Sequence, residues 1–160
     1  SSDLVRAVSS SSIGALQGAL DHFVANGAKR KSNNTGASST GDPDVQVLIA
    51  EVQSAIDEMK CVLMRNFAVL NERARAGEQA DIVTRLRFRL QSAQIAGRCG
   101  ELITRMYHLG GADGISRGNV IARTFCDIHT GRTHVANNPN AVGRNVGSVM
   151  LGGANADSFI

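Results

Sequence analysis

Apolar residues recur along this chain every three to four positions, which is the spacing of one face of an α-helix. Four segments show this pattern. In the first, the apolar positions end near Asn26 and Gly27, a pair typical of a helix end, and a polar stretch of residues 28–41 follows. The predicted apolar face of this first helix comprises Ile13, Leu16, Leu20, Phe23 and Val24.

The second and third segments predict two long helices. The second begins at Asp42 and Pro43, an N-capping aspartate followed by a proline suited to a first helical turn, and it continues to near Gly77. The third begins at Glu78 or Gln79 and stops at residues 109–111. The buried stripes are predicted to be Val45, Leu48, Val52, Ile56, Met59 and Leu63 in the second helix, and Ile82, Leu86, Leu90 and Ala93 in the third.

The fourth segment predicts a shorter helix that begins at Ser116 or Asn119 and ends before Pro139. From Asn137 onward the chain is rich in glycine and asparagine, which predicts a mostly irregular tail. The sequence shows no alternation typical of strands. We therefore predict an all-α fold, an antiparallel four-helix bundle with a Gly-rich C-terminal tail, formed by residues 1–160 as a single domain.

Composition narrows the classes of function. The chain has 160 residues, and 42% of them are hydrophobic. Its net charge of only +3 is too small to indicate a nucleic-acid-binding surface. It contains no apolar run long enough to cross a membrane. Three widely spaced cysteines predict reduced thiols and a cytoplasmic protein. The basic run of residues 29–31 fits either a solvated loop or an anchor for a phosphate.

Residues 127–139, "DIHTGRTHVANNP", hold the densest group of candidate functional side chains. His129 and His134 are five positions apart, about 140° around a regular helix, so they do not form a helical metal pair and we predict no metal site. Asp127 follows Arg123 by four positions, the spacing of a surface ion pair. His134 precedes the helix break and fits either a structural helix end or a catalytic residue.

The chain resembles the C-terminal domain of the acyl-CoA dehydrogenase superfamily. The resemblance is carried by "GALQGALDHF" in the first helix, Arg30 in the following loop, two long helices, the turn at Gly110 and Gly111, and "IARTFCDIH". It covers essentially all of the chain. Within the superfamily, "DIHTGRTHVANNP" resembles the flavin-dependent monooxygenase branch, which comprises the oxygenase components of two-component aromatic hydroxylases.

This resemblance implies an enzyme that hydroxylates a phenolic substrate with O₂ through a C4a-hydroperoxide of reduced FMN or FAD, supplied by a separate flavin reductase. His134 would be the catalytic proton donor, since the ordinary pKa of histidine lies near neutrality. Asp127 and His129 would orient the site. Arg30, Gly110 and Gly111 would bind the flavin across a subunit boundary, so the resemblance also implies a homodimer or homotetramer formed through the helices.

Two alternatives stay open, an acyl-CoA dehydrogenase-type oxidoreductase and a non-catalytic oligomerisation bundle. A dehydrogenase needs a carboxylate base, usually a glutamate, yet no Glu follows Glu101 and none precedes Glu51. Cys126 stands where relatives often have arginine, a departure from the family pattern. Because the family also has an N-terminal helical domain and a middle β-domain, we expect this chain to be a C-terminal part of the enzyme, inactive alone.

Overall fold

The computed structural model describes residues 2–27, 38–110, 118–158 and 160, and these residues form helices and turns without a β-strand. The prediction of an all-α fold is confirmed. None of the helices in these ranges combines the length and apolar character needed to cross a membrane. The elements are α1 (Ser2–Ala25), α2 (Pro43–Arg75), α3 (Ile82–Leu109), α4 (Val120–Arg132) and α5 (Pro139–Met150), with 3-10 turns at Ser39–Gly41 and Val135–Asn137.

The ends of α2 lie where the sequence predicts them. The Asp42 side chain accepts hydrogen bonds from the backbone N–H groups of Asp44 and Val45, at 2.9 and 3.4 Å, and Pro43 occupies the first turn. After the last turn, Gly77 has a φ of 71°, a left-handed conformation that glycine adopts without steric cost. Local capping chemistry therefore fixes both ends of this helix.

The predicted start of α3 at Glu78 or Gln79 is wrong by about three residues. The helix begins at Ile82, because the Asp81 side chain caps it by accepting a hydrogen bond from the Thr84 N–H at 2.9 Å. The side chain and backbone of Thr84, in that order, hold the pKa of Asp81 below its usual value. An aspartate one residue before the first turn is thus a stronger start signal than Glu78 or Gln79 further upstream.

The prediction of a mostly irregular tail is also wrong, since a fifth helix follows the fourth. Asn138 caps α5 by accepting hydrogen bonds from the N–H groups of Asn140 and Ala141, at 3.1 and 3.3 Å. Pro139 stands at the first position of α5, where its missing N–H is not needed. Pro139 therefore begins a helix and does not end one, since α4 has already ended at Arg132, and the described residues form five helices where four were predicted.

Helix α3 lies at the centre of the fold and packs against each of the other four helices. All six predicted stripe residues of α2 are buried, but Val24, predicted on the buried face of α1, is 52% exposed. Two apolar clusters result. The larger cluster is shared by four helices, α1, α2, α3 and α4, and includes Leu16, Phe23, Val52, Ile56, Met59, Ile103, Met106, Ile121 and Ile128. The smaller cluster lies between α3 and α5 and is formed by Leu86, Ala93, Val142 and Val146.

Candidate functional site

The junction between α4 and α5 carries His134, the residue predicted to be catalytic. Helix α4 ends at Arg132, and the N–H groups of Thr133 and His134 still donate to the carbonyls of Thr130 and Gly131. At His134 the backbone becomes extended, with φ −63° and ψ 138°, and a 3-10 turn follows. This change of direction turns the His134 side chain away from the helix, and the side chain is exposed.

The backbone beside His134 determines which ring nitrogen carries its proton. The N–H of Ala136 donates a hydrogen bond to Nδ1 of His134 at 3.1 Å. A nitrogen that accepts a hydrogen bond carries no proton, so the neutral ring has its proton on Nε2. Within the described part of the chain, the ring makes no further hydrogen bond. The exposed Nε2–H is thus available to donate to a ligand or to a reacting oxygen.

The junction is held from two other helices. Arg89 of α3 donates from Nη1 to the carbonyl of Ala136 at 2.7 Å. Asn137 donates from Nδ2 to the carbonyl of Gly131 at 2.7 Å and accepts a bond from the Ser9 hydroxyl of α1 at 3.0 Å. Since Arg89, Asn137 and Ser9 are all buried, these bonds are shielded from water. Buried hydrogen bonds therefore hold the loop that carries the exposed His134.

Arg89 is the most deeply buried charged residue of this region, with 4% of its surface exposed. Burial lowers its pKa, while the carboxylate of Asp157, 3.8 Å from Nε, raises it in part. A guanidinium keeps its proton in proteins, so the side chain is a buried cation. Its one short hydrogen bond in the described residues goes to the loop beside His134, which ties the charge to the candidate site.

His129 has a different environment from His134. Its Nε2 lies 3.0 Å from the Thr104 hydroxyl, which donates its own proton to the Gly100 carbonyl at 2.7 Å. The hydroxyl oxygen can then only accept from the ring, so His129 carries its proton on Nε2. The ring packs on Phe125, with centroids 4.4 Å apart. The ring also lies close to α3, since a Cβ built at Gly100 would be 3.4 Å from Cε1 of His129.

The other predicted residues are spread over the molecule. Asp127 is exposed on α4, and no ion pair joins it to Arg123, although the structure describes both. Gly110 ends α3, with its N–H donating to the carbonyls of Met106 and Tyr107. Arg30 and Gly111 lie outside the described residues.

Gly110 and the contact that holds the His134 loop lie at different levels along α3. Arg89, whose side chain reaches the loop of His134, precedes Gly110 by 21 residues of α3 and its cap. At about 1.5 Å per residue, this separates them by about 30 Å along the helix axis. The predicted flavin-binding glycine thus lies about 30 Å along α3 from the arginine that holds the loop of the predicted catalytic histidine.

The described residues contain no group of three side chains placed to hold a metal ion. An open depression of about 500 Å³ lies at the α2–α3 turn and is lined by arginines. Two of these are already engaged, Arg73 with Glu78 and Arg65 with Asn66 and Gln91. The depression therefore offers fewer free donors than its composition suggests, and we do not regard it as the functional site.

Sequence reasoning missed Arg89, Thr104 and Asp157. A signal for Arg89 was present, because it stands at the buried register of α3, three positions after Leu86 and four before Ala93. A charged residue in an apolar stripe is retained when it has a specific partner. Nothing in the sequence pattern indicates that Asp157 would be that partner, because the contact depends on how the last residues fold back.

Residues 7–139 match the family model of the acyl-CoA dehydrogenase C-terminal domain. The chain belongs to this family. The resemblance stated from the sequence is confirmed, and the helical domain described above is the one that acyl-CoA dehydrogenase-type proteins share.

Among curated relatives, the oxygenase subunit HsaA of a flavin-dependent monooxygenase from Rhodococcus jostii (strain RHA1) is 32% identical over 133 residues, 82% of this chain and 35% of HsaA. The oxygenase component of an FADH₂-dependent resorcinol hydroxylase from Rhizobium sp. (strain MTP-10005) is 29% identical, over 91% of this chain and 37% of that protein. The chain thus spans little more than a third of the length of these relatives.

A solved structure shows the same arrangement. The crystal structure of 3-HSA hydroxylase from Rhodococcus sp. RHA1 superposes with a TM-score of 0.88 at 28% identity, covering 99% of this chain and 40% of that one. The superposition includes the region of α5, which lies beyond the residues that match the family model. The fifth helix is therefore part of the shared fold.

Proposed function

We propose that this chain is the C-terminal domain of a reduced-flavin-dependent monooxygenase that hydroxylates a phenolic or other aromatic substrate with O₂. The names of the relatives support it, since one is the oxygenase subunit of a flavin-dependent monooxygenase and another hydroxylates resorcinol. The structural observation that carries the proposal is the exposed Nε2–H of His134, held in place by the Ala136 backbone, in a region that contains no glutamate.

The residues predicted to contact the flavin fit a flavin in their chemistry. A flavin ring system offers carbonyl oxygens and ring nitrogens, so a protein binds it with N–H donors and with backbone that can approach closely. His134 supplies such a donor at Nε2, Gly110 supplies a helix end without a side chain, and Arg30 would supply charge for a phosphate. When bound, reduced flavin supplies the electrons that activate O₂.

In this proposal His134 acts as a hydrogen-bond and proton donor through Nε2. Its Nε2–H can donate to an oxygen that becomes negative during the reaction, and its Nδ1 is kept in the acceptor role by the Ala136 N–H. The buried bonds of Arg89 and Asn137 hold the loop in one conformation, which keeps that donor aimed. Asp127 and His129 remain proposed supporting residues; His129 stiffens α4 through Thr104.

The test of this proposal uses the complete protein with reduced flavin, O₂ and a phenol. We expect His134→Gln to lower the yield of hydroxylated product per O₂ consumed by about a hundredfold, the lower end of the range for loss of a general acid, with H₂O₂ rising in its place. His108→Gln, which removes another exposed histidine, is the matched control. An unchanged yield in His134→Gln would refute the role of His134.

The same assay separates the proposed cofactor and the alternative activity. The name of the resorcinol hydroxylase favours reduced FAD over reduced FMN, so we propose FAD and expect higher yield with FADH₂ than with FMNH₂. Oxidation of an acyl-CoA with an artificial electron acceptor, in place of phenol hydroxylation, would support the dehydrogenase alternative. If neither substrate reacts, the oligomerisation bundle becomes the better explanation.

We further propose a separate flavin reductase as partner, since the relatives are named as a subunit or a component of their monooxygenases. Chemically reduced flavin should then replace the reductase in the assay. We also propose a homodimer or homotetramer, because about 30 Å of α3 separates Gly110 from Arg89, which holds the His134 loop, and a second copy would bring one of each group together. The cytoplasm remains the predicted location, from the unpaired cysteines.

A further inference from the structure

The peptide unit of Ala136 joins a buried cation to the candidate catalytic ring. Its N–H donates to Nδ1 of His134, and its carbonyl accepts from Nη1 of Arg89. Because both bonds are made by the backbone of one residue, a movement of the turn that displaces Ala136 changes the geometry of both. The position of the His134 ring is therefore coupled to the position of the Arg89 guanidinium.

Arg89 is in turn supported by the end of the described chain. Asp157 places a carboxylate 3.8 Å from Nε of Arg89, and 13% of the Asp157 side-chain surface is exposed. A buried guanidinium needs such a counter-charge, since burial of an unpaired ion is costly. The ion pair spans residues that are far apart in sequence, so it forms only when residues 155–157 fold back on the helices.

Asn145 of α5 holds residues 155–157 in that position. Its Nδ2 donates to Oδ1 of Asn155, and its Oδ1 accepts from the N–H of Ala156, both at 2.8 Å. Asn155 also accepts from the N–H of Asp157 at 3.0 Å. Asn145 itself is buried, which strengthens these bonds relative to exposed ones. A continuous set of contacts thus runs from α5 through residues 155–157 to Arg89.

We propose that Arg89, held by Asp157, is a positioning residue that fixes the loop of His134 so that the ring presents its Nε2–H outward. Arg89 touches neither substrate nor cofactor in this role; it acts through the Ala136 peptide. The catalytic consequence rests on the proposed function of His134, whereas the structural coupling does not. Residues 155–157 thereby contribute to the geometry of the candidate site.

The coupling can be measured without catalysis, in the complete protein, by diethyl pyrocarbonate labelling followed by peptide mass spectrometry. This reagent acylates the ring nitrogen that carries no proton, which in His134 is the Nδ1 that Ala136 protects. In Arg89→Gln we expect His134 to react roughly three- to tenfold faster, the factor that corresponds to loss of one ordinary hydrogen bond. Arg89→Lys, which keeps the charge, should recover part of the protection.

Two internal references separate positioning from general loosening. His129 lies on the same helix but is bonded to Thr104, so its labelling rate should not change, and neither should that of exposed His108. Arg105→Gln removes an ion pair with Glu51 elsewhere on α3 and should leave His134 at its original rate. Equal acceleration of His129 and His134 in Arg89→Gln would overturn the proposal, as would no acceleration of His134.

Asp157→Asn keeps the test decisive if Arg89→Gln does not fold. This change removes only a charge from a side chain near the surface, and we expect His134 labelling to rise by at least about twofold through the weakened hold on Arg89. An unchanged rate would refute the proposal.

For catalysis, product yield in Arg89→Gln/His134→Gln should equal that of His134→Gln alone. If His134→Gln has no effect on yield, the proposed function fails while the labelling result still decides the coupling.

Discussion

At the scale of single residues, the chemistry of a side chain here depends on the one or two groups that its backbone position brings near. His129 and His134 have the same ring and the same proton-bearing nitrogen, but one donates to Thr104 inside a helix pair and the other faces outward. Sequence spacing separates them by five positions and excludes a shared metal, but it does not show which of the two is accessible. The extended backbone at His134 exposes that ring, and the pattern of apolar residues does not reveal it.

Cys99 gives a prediction at this scale. The thiol is buried in the main apolar cluster, and burial raises its pKa to about 12, against a smaller opposing effect of the Arg98 charge. Only a thiolate attacks iodoacetamide, and at pH 8 about one Cys99 in ten thousand would be ionised. We expect Cys99 to stay unmodified at pH 8 while exposed Cys61 and Cys126 are alkylated, as read by peptide mass spectrometry.

The pH dependence of this reaction follows from the direction of the shift. A thiol with a raised pKa in the folded state ionises only as the pH approaches that raised value, so alkylation of Cys99 should stay low until the pH nears 12 or the protein unfolds. Addition of denaturant at pH 8 is the control and should bring Cys99 to the rate of Cys61. Rapid alkylation of Cys99 in the folded protein at pH 8 would contradict the burial.

At the scale of elements, capping residues predicted helix ends well wherever the signal was local. Asp42 with Pro43, and Asn119 before α4, stand where the structure has caps. The misplaced start of α3 arose because Glu78 and Gln79 are good helix residues, whereas Asp81 supplies the hydrogen bond that the first turn needs. Propensity alone does not mark a helix end; an acceptor for the first N–H groups does.

Helix α5 was missed because its glycines dilute the apolar pattern. Val142, Val146 and Val149 still recur at four and three positions, and the first two are buried against Leu86 and Ala93 of α3. Packing on α3 compensates for the low helix propensity of glycine in this segment. Tertiary contact of this kind could not be predicted from residues 139–150 alone.

The cap of α5 provides the prediction for elements. The Asn138 side chain is the acceptor for two N–H groups of the first turn, so Asn138→Ala should destabilise α5 by about 1 kcal/mol. Hydrogen exchange measured by mass spectrometry should then be faster in peptides of α5, while α2 keeps its rate. Asn140→Ala is the matched control, because Asn140 lies in the same first turn and contributes its backbone N–H, which the substitution keeps, to the bond with Asn138. Equal exchange in both variants would refute the capping role.

At the scale of the whole molecule, α3 determines where the candidate functional groups lie. It packs on all four other helices, contributes to both apolar clusters, and carries Arg89 in its first half and Gly110 at its end. The sequence predicted α1 to α4 and most of their buried faces, because periodicity shows which side of each helix is apolar. It could not predict how far Gly110 lies along α3 from the contact with the His134 loop, because that distance depends on which loop folds back to which point on the helix.

About 30 Å of α3 separates Gly110 from Arg89, which holds the His134 loop, and this spacing predicts that two copies of the chain share each site. Mixed oligomers test this. Gly110 has φ −64°, a conformation open to any residue, so Gly110→Leu should fold and fill the space needed for close approach of a ligand. His134→Gln removes the donor. Each variant alone should be nearly inactive if the proposed function holds.

When the two variants are mixed, dissociated and reassembled, a shared site can combine an intact Gly110 from one copy with an intact His134 from the other. Random pairing should restore about a quarter of the wild-type hydroxylation activity, because half of the pairs are mixed and each mixed pair has one intact site out of two. Sites contained within single copies would give no recovery, since every chain carries a defect. Absence of recovery in verified mixed oligomers would therefore show that one copy holds both groups after all, and that the distance along α3 does not separate their functions.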